Sequence, residues 1–170
     1  IIAFKKVISL KPEYADGYSN LGTAYQEQGK LEEGLEAYNK ALSIKPDNAS
    51  AYYNMGNLFQ YQGKLEEAIE SHKKAILFKP ENAEAYNNIG NALKDQGKLE
   101  KAIEAYNEAL AIKPNYADTY YNKGITLHDQ GKLDEAIEAY NKAILPKPEN
   151  AQAYNNMGLV LKDQGKLEKA

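Results

Sequence analysis

The chain has no cysteine and no tryptophan, and only two methionines and two histidines in 170 residues. Without cysteine there can be no disulfide framework, thiolate zinc site or thiol nucleophile. Long apolar runs are missing too. Stretches such as Ala75 to Phe78 end after four residues, far short of the roughly 20 that a membrane-spanning helix needs. Nor does one sign of charge dominate. Against 21 basic residues stand 24 acidic ones, a net charge of −3, so the chain lacks the positive field of a protein that grips nucleic-acid phosphates. What remains is 26% charged and 43% hydrophobic, a composition able to build a folded core. It includes 14 tyrosines, and its glycines and prolines recur at fixed intervals.

Those intervals organise the whole chain. Pro12, Pro46, Pro80, Pro114 and Pro148 are each 34 residues apart, as are Gly29, Gly63, Gly97, Gly131 and Gly165. Tyr18, Tyr52, Tyr86, Tyr120 and Tyr154 keep the same spacing, and the segment QGKL occurs five times. A fixed period of this length is the signature of a repeat architecture.

Each unit predicts two short helices. In 49–82, Asn48 is suited to an N-cap, because its side-chain oxygen can accept from backbone N–H groups left open at a helix start. A first helix is expected from about Ala49 to Gln62. Gly63 then allows a left-handed turn. A second helix follows from about Leu65 to Lys79, and Pro80 stops it. Within it Leu65, Ala68, Ile69, His72, Ala75 and Ile76 form a one-sided stripe, apolar except for His72. Glu36–Lys40, Glu70–Lys74 and Glu138–Lys142 are i,i+4 partners on the wet side. Gly22, Gly56, Gly90, Gly124 and Gly158 sit mid-way along the first helices. A glycine there costs up to about 1 kcal/mol relative to alanine, so its recurrence implies a close crossing, with Ala68, Ala102 or Ala136 expected against it. The tyrosines at 18, 52, 86, 120 and 154 are expected to face the core, as are Tyr38, Tyr106 and Tyr140 at a second repeat position. One hairpin cannot bury its own stripe, so stacked neighbours must share a continuous core.

In 49–82, Tyr52, Met55, Gly56, Phe59, Ala68, His72, Ala75 and Pro80 form a pattern that resembles the tetratricopeptide repeat (TPR). The resemblance covers the chain. It implies an all-α fold, a right-handed alpha-alpha superhelix (TPR solenoid) of antiparallel helix pairs. The complete units are 15–48, 49–82, 83–116 and 117–150. Residues 1–14 resemble the second helix of a preceding unit, and 151–170 the first helix and turn of a following one. Some positions depart from the pattern. Lys123 stands where other units carry Leu21, Met55, Ile89 and Met157, and must reach outward, find a partner or weaken its unit. Pro146 replaces an apolar residue and should shorten or bend the last turn of its helix. His72 replaces tyrosine, and Gly34 replaces alanine.

No catalytic constellation is present. His72 and His128 lie at different repeat positions, and neither has a second histidine at metal-ligand spacing. His72 is expected in the core and His128 at the surface. The five Gly-Lys pairs lack the upstream glycine of a phosphate loop. No metal and no cofactor are expected, and the chain is expected to be non-enzymatic.

The resemblance implies that first helices line a concave groove. The sixth place of each unit is an asparagine: Asn20, Asn54, Asn88, Asn122 and Asn156. A carboxamide offers both donors and acceptor capacity, so such a row can hold the backbone of an extended peptide. It can equally bond within the scaffold, between neighbouring first helices. Around it lie Tyr53, Asn57, Asn87, Asn91 and Tyr121, completing the expected peptide-binding set, and Tyr61 and Asn155 are near. The groove places carry Asp16, Glu27, Glu84, Asp95, Asp118, Asp129 and Asp163 against Lys94 and Lys162. That local balance of −5 favours a neutral or basic segment over an acidic one. TPR co-chaperones hold acidic chaperone tails with a clamp of cations as well as asparagines. The corresponding cations are absent here, since the fifth places are Ser19, Tyr53, Asn87, Tyr121 and Asn155.

The expected function is therefore a protein-interaction scaffold that binds an extended peptide segment, with no nucleic acid and no membrane. The asparagine row also resembles the repeat arm of O-linked N-acetylglucosamine transferase. That implies an alternative, a substrate-recruiting arm of a larger enzyme; a plain structural spacer is a third possibility. The absence of cysteine points to the cytoplasm. The chain opens with Ile1 at the twenty-first place of a unit and closes with Ala170 at the twentieth. It is therefore expected to be a piece of a longer array, able to stack head to tail by bringing Ile1 to Leu10 against Asn156 to Leu167 of a neighbour.

Overall fold

A computed structural model of the chain describes residues 1–166. The last residues of the expected 151–170 unit, and Leu167 of the expected stacking contact, lie outside them. The described residues form ten helices and no strand: α1 (Ile2–Leu10), α2 (Ala15–Glu27), α3 (Leu31–Ile44), α4 (Ala49–Tyr61), α5 (Leu65–Phe78), α6 (Ala83–Asp95), α7 (Leu99–Ile112), α8 (Ala117–Asp129), α9 (Leu133–Ile144) and α10 (Ala151–Asp163). The fold is an all-α helical-repeat solenoid. Its chain divides into two compact units, Ile1–Ala85 and the residues from Tyr86 onward.

Local chemistry explains the helix ends. Asn48, Asn82 and Asn150 accept from the backbone N–H of Ala51, Ala85 and Ala153 at 3.0 to 3.1 Å, which closes an otherwise open helix start and contributes about 1 kcal/mol each. At the other end, Gly63 takes φ +72°, and the N–H groups of Gly63 and Lys64 donate to the Gln60 and Phe59 carbonyls. A side chain in that left-handed conformation would cost about 1 kcal/mol or more. Pro146 acts as expected: α9 has 12 residues where α5 has 14.

In the first unit, Tyr38, Met55 and Leu58 form the buried centre, with Leu35, Leu42, Tyr52 and Phe59 packed against it. In the second, Leu127, Ala136, Tyr140, Ala153 and Val160 do the same, flanked by Ile103, Tyr121 and Met157. Both centres draw on helices of more than one repeat, so the core is shared between neighbours.

The mid-helix glycines are crossing points, but alanine is not what fills the space. A Cβ on Gly22, Gly56, Gly90 or Gly124 would lie within 3.0 Å of the ring of Tyr38, His72, Tyr106 or Tyr140 respectively. The flat face of a large ring, rather than a methyl group, needs the missing Cβ. Gly34, at the alanine place, lies near the Gly22 carbonyl, where an added Cβ would be 3.2 Å away.

The two tyrosine positions also differ. Tyr38, Tyr106 and Tyr140 are fully buried. Tyr18, Tyr52, Tyr86 and Tyr120 are only half-buried, and Tyr154 is exposed. Lys40, Lys74 and Lys142 lie 5.7 to 6.0 Å over the rings of Tyr18, Tyr52 and Tyr120, a cation–π arrangement that tolerates solvent. Two of these lysines also pair with Glu70 (2.9 Å) and Glu138 (2.6 Å), as their spacing predicts. Lys123 both reaches outward and finds a partner, donating to the Asn107 Oδ1 at 2.7 Å. Partial burial and the neighbouring Lys142 lower its pKa.

Candidate functional site

The first helices carry the candidate residues, and short turns plus shared cores fix their spacing. In the first unit, Asn20 is exposed on α2 and Asn54 is half-buried on α4. The Asn54 Nδ2 donates to the Thr23 Oγ1 at 3.3 Å, tying α4 to α2. Thr23 shares a 3.2 Å hydrogen bond with the Tyr38 hydroxyl, which donates to the Gln26 Oε1 at 3.1 Å. Burial is the main cause that raises the Tyr38 pKa. Tyr53 is half-buried, with its ring centroid 5.5 Å from that of His72.

Two cavities open beside these groups. One, of about 430 Å³, lies between α2 and α4 and takes in Asn54, Asn57, Tyr61, Glu27 and the residues around Tyr38. The other, of about 370 Å³, is bounded by Ser50, Tyr53, Asn54, Lys79, Asn82 and Glu84. Asn54 borders both.

In the second unit the carboxamides again bridge first helices. Asn122 of α8 donates to the Asn87 Oδ1 of α6 at 3.3 Å. The Thr119 hydroxyl donates to the same oxygen at 3.0 Å, and the Asn87 Nδ2 donates to the Asn88 Oδ1 at 3.4 Å. Asn87, expected as a ligand contact, is thus buried and engaged within the helix layer. Asn156 of α10 donates to the Tyr121 hydroxyl of α8 at 3.1 Å, and that tyrosine packs 6.0 Å from Tyr140. Asn91 accepts the Tyr106 hydroxyl at 2.8 Å. Asn88, Asn122 and Asn156 remain half-buried. Of the two roles open to the row, the inter-helix one is present. It uses one donor hydrogen each of Asn54, Asn122 and Asn156, and leaves further capacity on a carboxamide.

The electrostatics are milder than the residue count implied. Asp118 pairs with Lys147 at 2.7 Å, and Asp163 meets His128 at 2.8 Å. Lys147 lies outside the first helix, so counting by repeat place missed it. The roles of Thr23, Gln26 and the Tyr38 hydroxyl were also missed, because Tyr38 reads as a core residue. A signal was there: a polar residue at 23 or 91 accompanies the tyrosine 15 places later, at 38 or 106. Among the described residues no group of three or more His, Asp or Glu could hold a metal ion. No described helix is long and apolar enough to cross a membrane.

The family model for the TPR repeat matches residues 24–63, 56–97, 90–131 and 124–165, and a second tetratricopeptide-repeat model matches 3–36. The chain belongs to the tetratricopeptide-repeat family. Among solved structures, this TPR chain is similar to MamA at 33% identity, covering 87% of this chain and 86% of that one, with a TM-score of 0.82. It is also similar to YrrB, described as a TPR protein with an unusual peptide-binding site, at 28% identity over 98% of this chain and 86% of that one, with a TM-score of 0.81. The PilF structure from Pseudomonas aeruginosa shares the fold at 21% identity, covering 99% and 77% of the two chains with a TM-score of 0.89. None of the curated proteins matches the TPR chain at a significant level.

Proposed function

We propose that this chain is a protein-interaction scaffold without catalysis of its own, whose first-helix face holds an extended protein segment of neutral or basic character. The carrying observation is Asn54. Its Nδ2 donates to Thr23, and it borders two cavities of about 430 and 370 Å³. A carboxamide held by its own scaffold is pre-organised, so a bound peptide backbone need not order it. On this reading Asn88, Asn122 and Asn156 serve likewise on the other unit, with Tyr53 on the first unit and Tyr121 on the second as aromatic contacts. YrrB, a relative by fold and repeat, is described as having a peptide-binding site, which fits this reading. The excess of carboxylates disfavours acidic segments.

Selecting random peptides displayed on phage against the immobilised chain, then mapping a selected peptide by amide NMR, tests the proposal. Saturable shifts in the side-chain amides of Asn54, Asn88 or Asn122 support it. A failure to select any peptide, or shifts confined to the second helices, overturns it in favour of a spacer.

A further inference from the structure

The larger cavity has a chemical polarity of its own. Its inner polar groups already satisfy one another. The Tyr38 hydroxyl is engaged with Gln26 and Thr23, and Thr23 accepts from Asn54. With its Nδ2 turned to Thr23, Asn54 keeps its Oδ1 as an acceptor. Glu27, at the rim, is exposed and makes no ion pair or hydrogen bond with a described residue. None of the residues around the cavity is a cation. The Glu27 charge is felt inside, where it adds to burial in raising the pKa of Tyr38. Opposite stands Tyr61, 75% exposed. It occupies the place at which other units carry Glu27, Asp95, Asp129 and Asp163, and it lines the same cavity as Glu27.

We propose that this cavity receives an arginine side chain of a bound extended segment, with the guanidinium stacked on Tyr61 and paired with Glu27. The proposal rests on the reading of the first-helix face given above, and it names what that face selects at one point. A guanidinium fits better than an ammonium. It is planar and weakly hydrated, stacks on an aromatic ring, and can bond both carboxylate oxygens while a further N–H reaches the Asn54 Oδ1. A volume of about 430 Å³ admits a long side chain. An acidic side chain would meet Glu27 with no cation to offset it.

The test is a titration of the isotope-labelled chain with N-acetyl-arginine N-methylamide, its lysine counterpart and its citrulline counterpart, followed by NMR. The expected result is saturable shifts of the Gln26, Asn54 and Asn57 side-chain amides with the arginine compound. Binding of the lysine compound should be about threefold weaker, and citrulline should be lost. Glu27→Gln and Tyr61→Ala, both at exposed positions, should each weaken arginine binding about two- to fivefold, the range for exposed ion pairs and cation–π contacts. Glu67→Gln on α5, which removes the same charge elsewhere, should leave it unchanged. Equal binding of arginine and lysine, or an unaltered titration in Glu27→Gln, overturns the proposal. A phage-selected peptide that shifts the asparagine row without an arginine near Glu27 overturns this pocket and leaves the face reading standing. Arginine binding here with no peptide moving the row supports the pocket and overturns the extended-segment reading.

Discussion

Gly90→Ala sets two known effects against each other. In an exposed helix interior the change would stabilise by about 1 kcal/mol, because alanine is the better helix former. Here the new Cβ would stand 2.4, 2.6 and 2.9 Å from three atoms of the Tyr106 ring. Ordinary contact needs another ångström, and the ring has little room to retreat. It is fully buried, and its hydroxyl is bonded to Asn91 at 2.8 Å. Overpacking of this kind costs about 1–3 kcal/mol, and a broken hydroxyl bond adds about 1 more. The expected net effect is a destabilisation of about 2 kcal/mol. Guanidinium unfolding followed by circular dichroism measures it as a lower midpoint at unchanged slope. Repeating the substitution in a Tyr106→Leu background isolates the cause, since the penalty should shrink or reverse once the ring is gone. A Gly90→Ala chain as stable as the parent, or an equal penalty in both backgrounds, refutes the ring-against-glycine account.

Gly34→Ala should have the opposite sign and stabilise by about 0.5 kcal/mol, because the other units already hold alanine there; the added Cβ would stand 3.2 Å from the Gly22 carbonyl and the Leu58 Cδ1, so these must give by a few tenths of an ångström, and a fall in midpoint would show that they do not. His72 is fully buried with neither ring nitrogen hydrogen-bonded, and burial pulls its pKa from 6.5 down to about 4. The unfolded chain therefore gains a proton first as pH falls, so stability is intact above 6.5 and drops between 6.5 and 4, by on the order of 3 kcal/mol. His72→Tyr should remove that part of the pH slope, as read from midpoints of parent and variant across the window; parallel slopes would refute it. Lys123→Met should raise the midpoint by about 1 kcal/mol, because it relieves a partly desolvated ammonium beside Lys142; a loss would show that the bond to Asn107 outweighs the burial.

The helices were legible because their signals are local. Asn48 and Gly63 mark their boundaries through backbone chemistry that needs no neighbour. What occupies the notch at Gly56 was not legible in this way. His72 and Ala68 lie on the same stripe, and only the depth of the crossing decides which of them reaches the glycine. Tyr52 does pack against the core as its place implies, but its partial exposure was not legible, since Lys74 lies over its ring from the following helix. At the candidate site, the asparagine row was visible as a repeat, but the direction of each carboxamide was not. Asn54 bonds a threonine at the ninth place of the preceding unit, whereas Asn122 and Asn156 bond the fifth-place residues of theirs, an asparagine and a tyrosine. Glu27 and Tyr61, two residues of one place in successive units, line a single cavity, a relation visible only once α2 and α4 lie side by side.

The QGKL corners have a practical consequence. A Cβ built on Gly63, Gly97 or Gly131 meets nothing within 4 Å, so no side chain packs onto the glycine at these bends, whereas Gly29 lines the larger cavity. Such exposed bends tolerate added sequence best. A reporter tag or an entire guest domain spliced in at Gly63, Gly97 or Gly131, away from the cavity that Gly29 lines, should leave both the core and the recognition face undisturbed, making these three corners natural cloning sites for engineering the array.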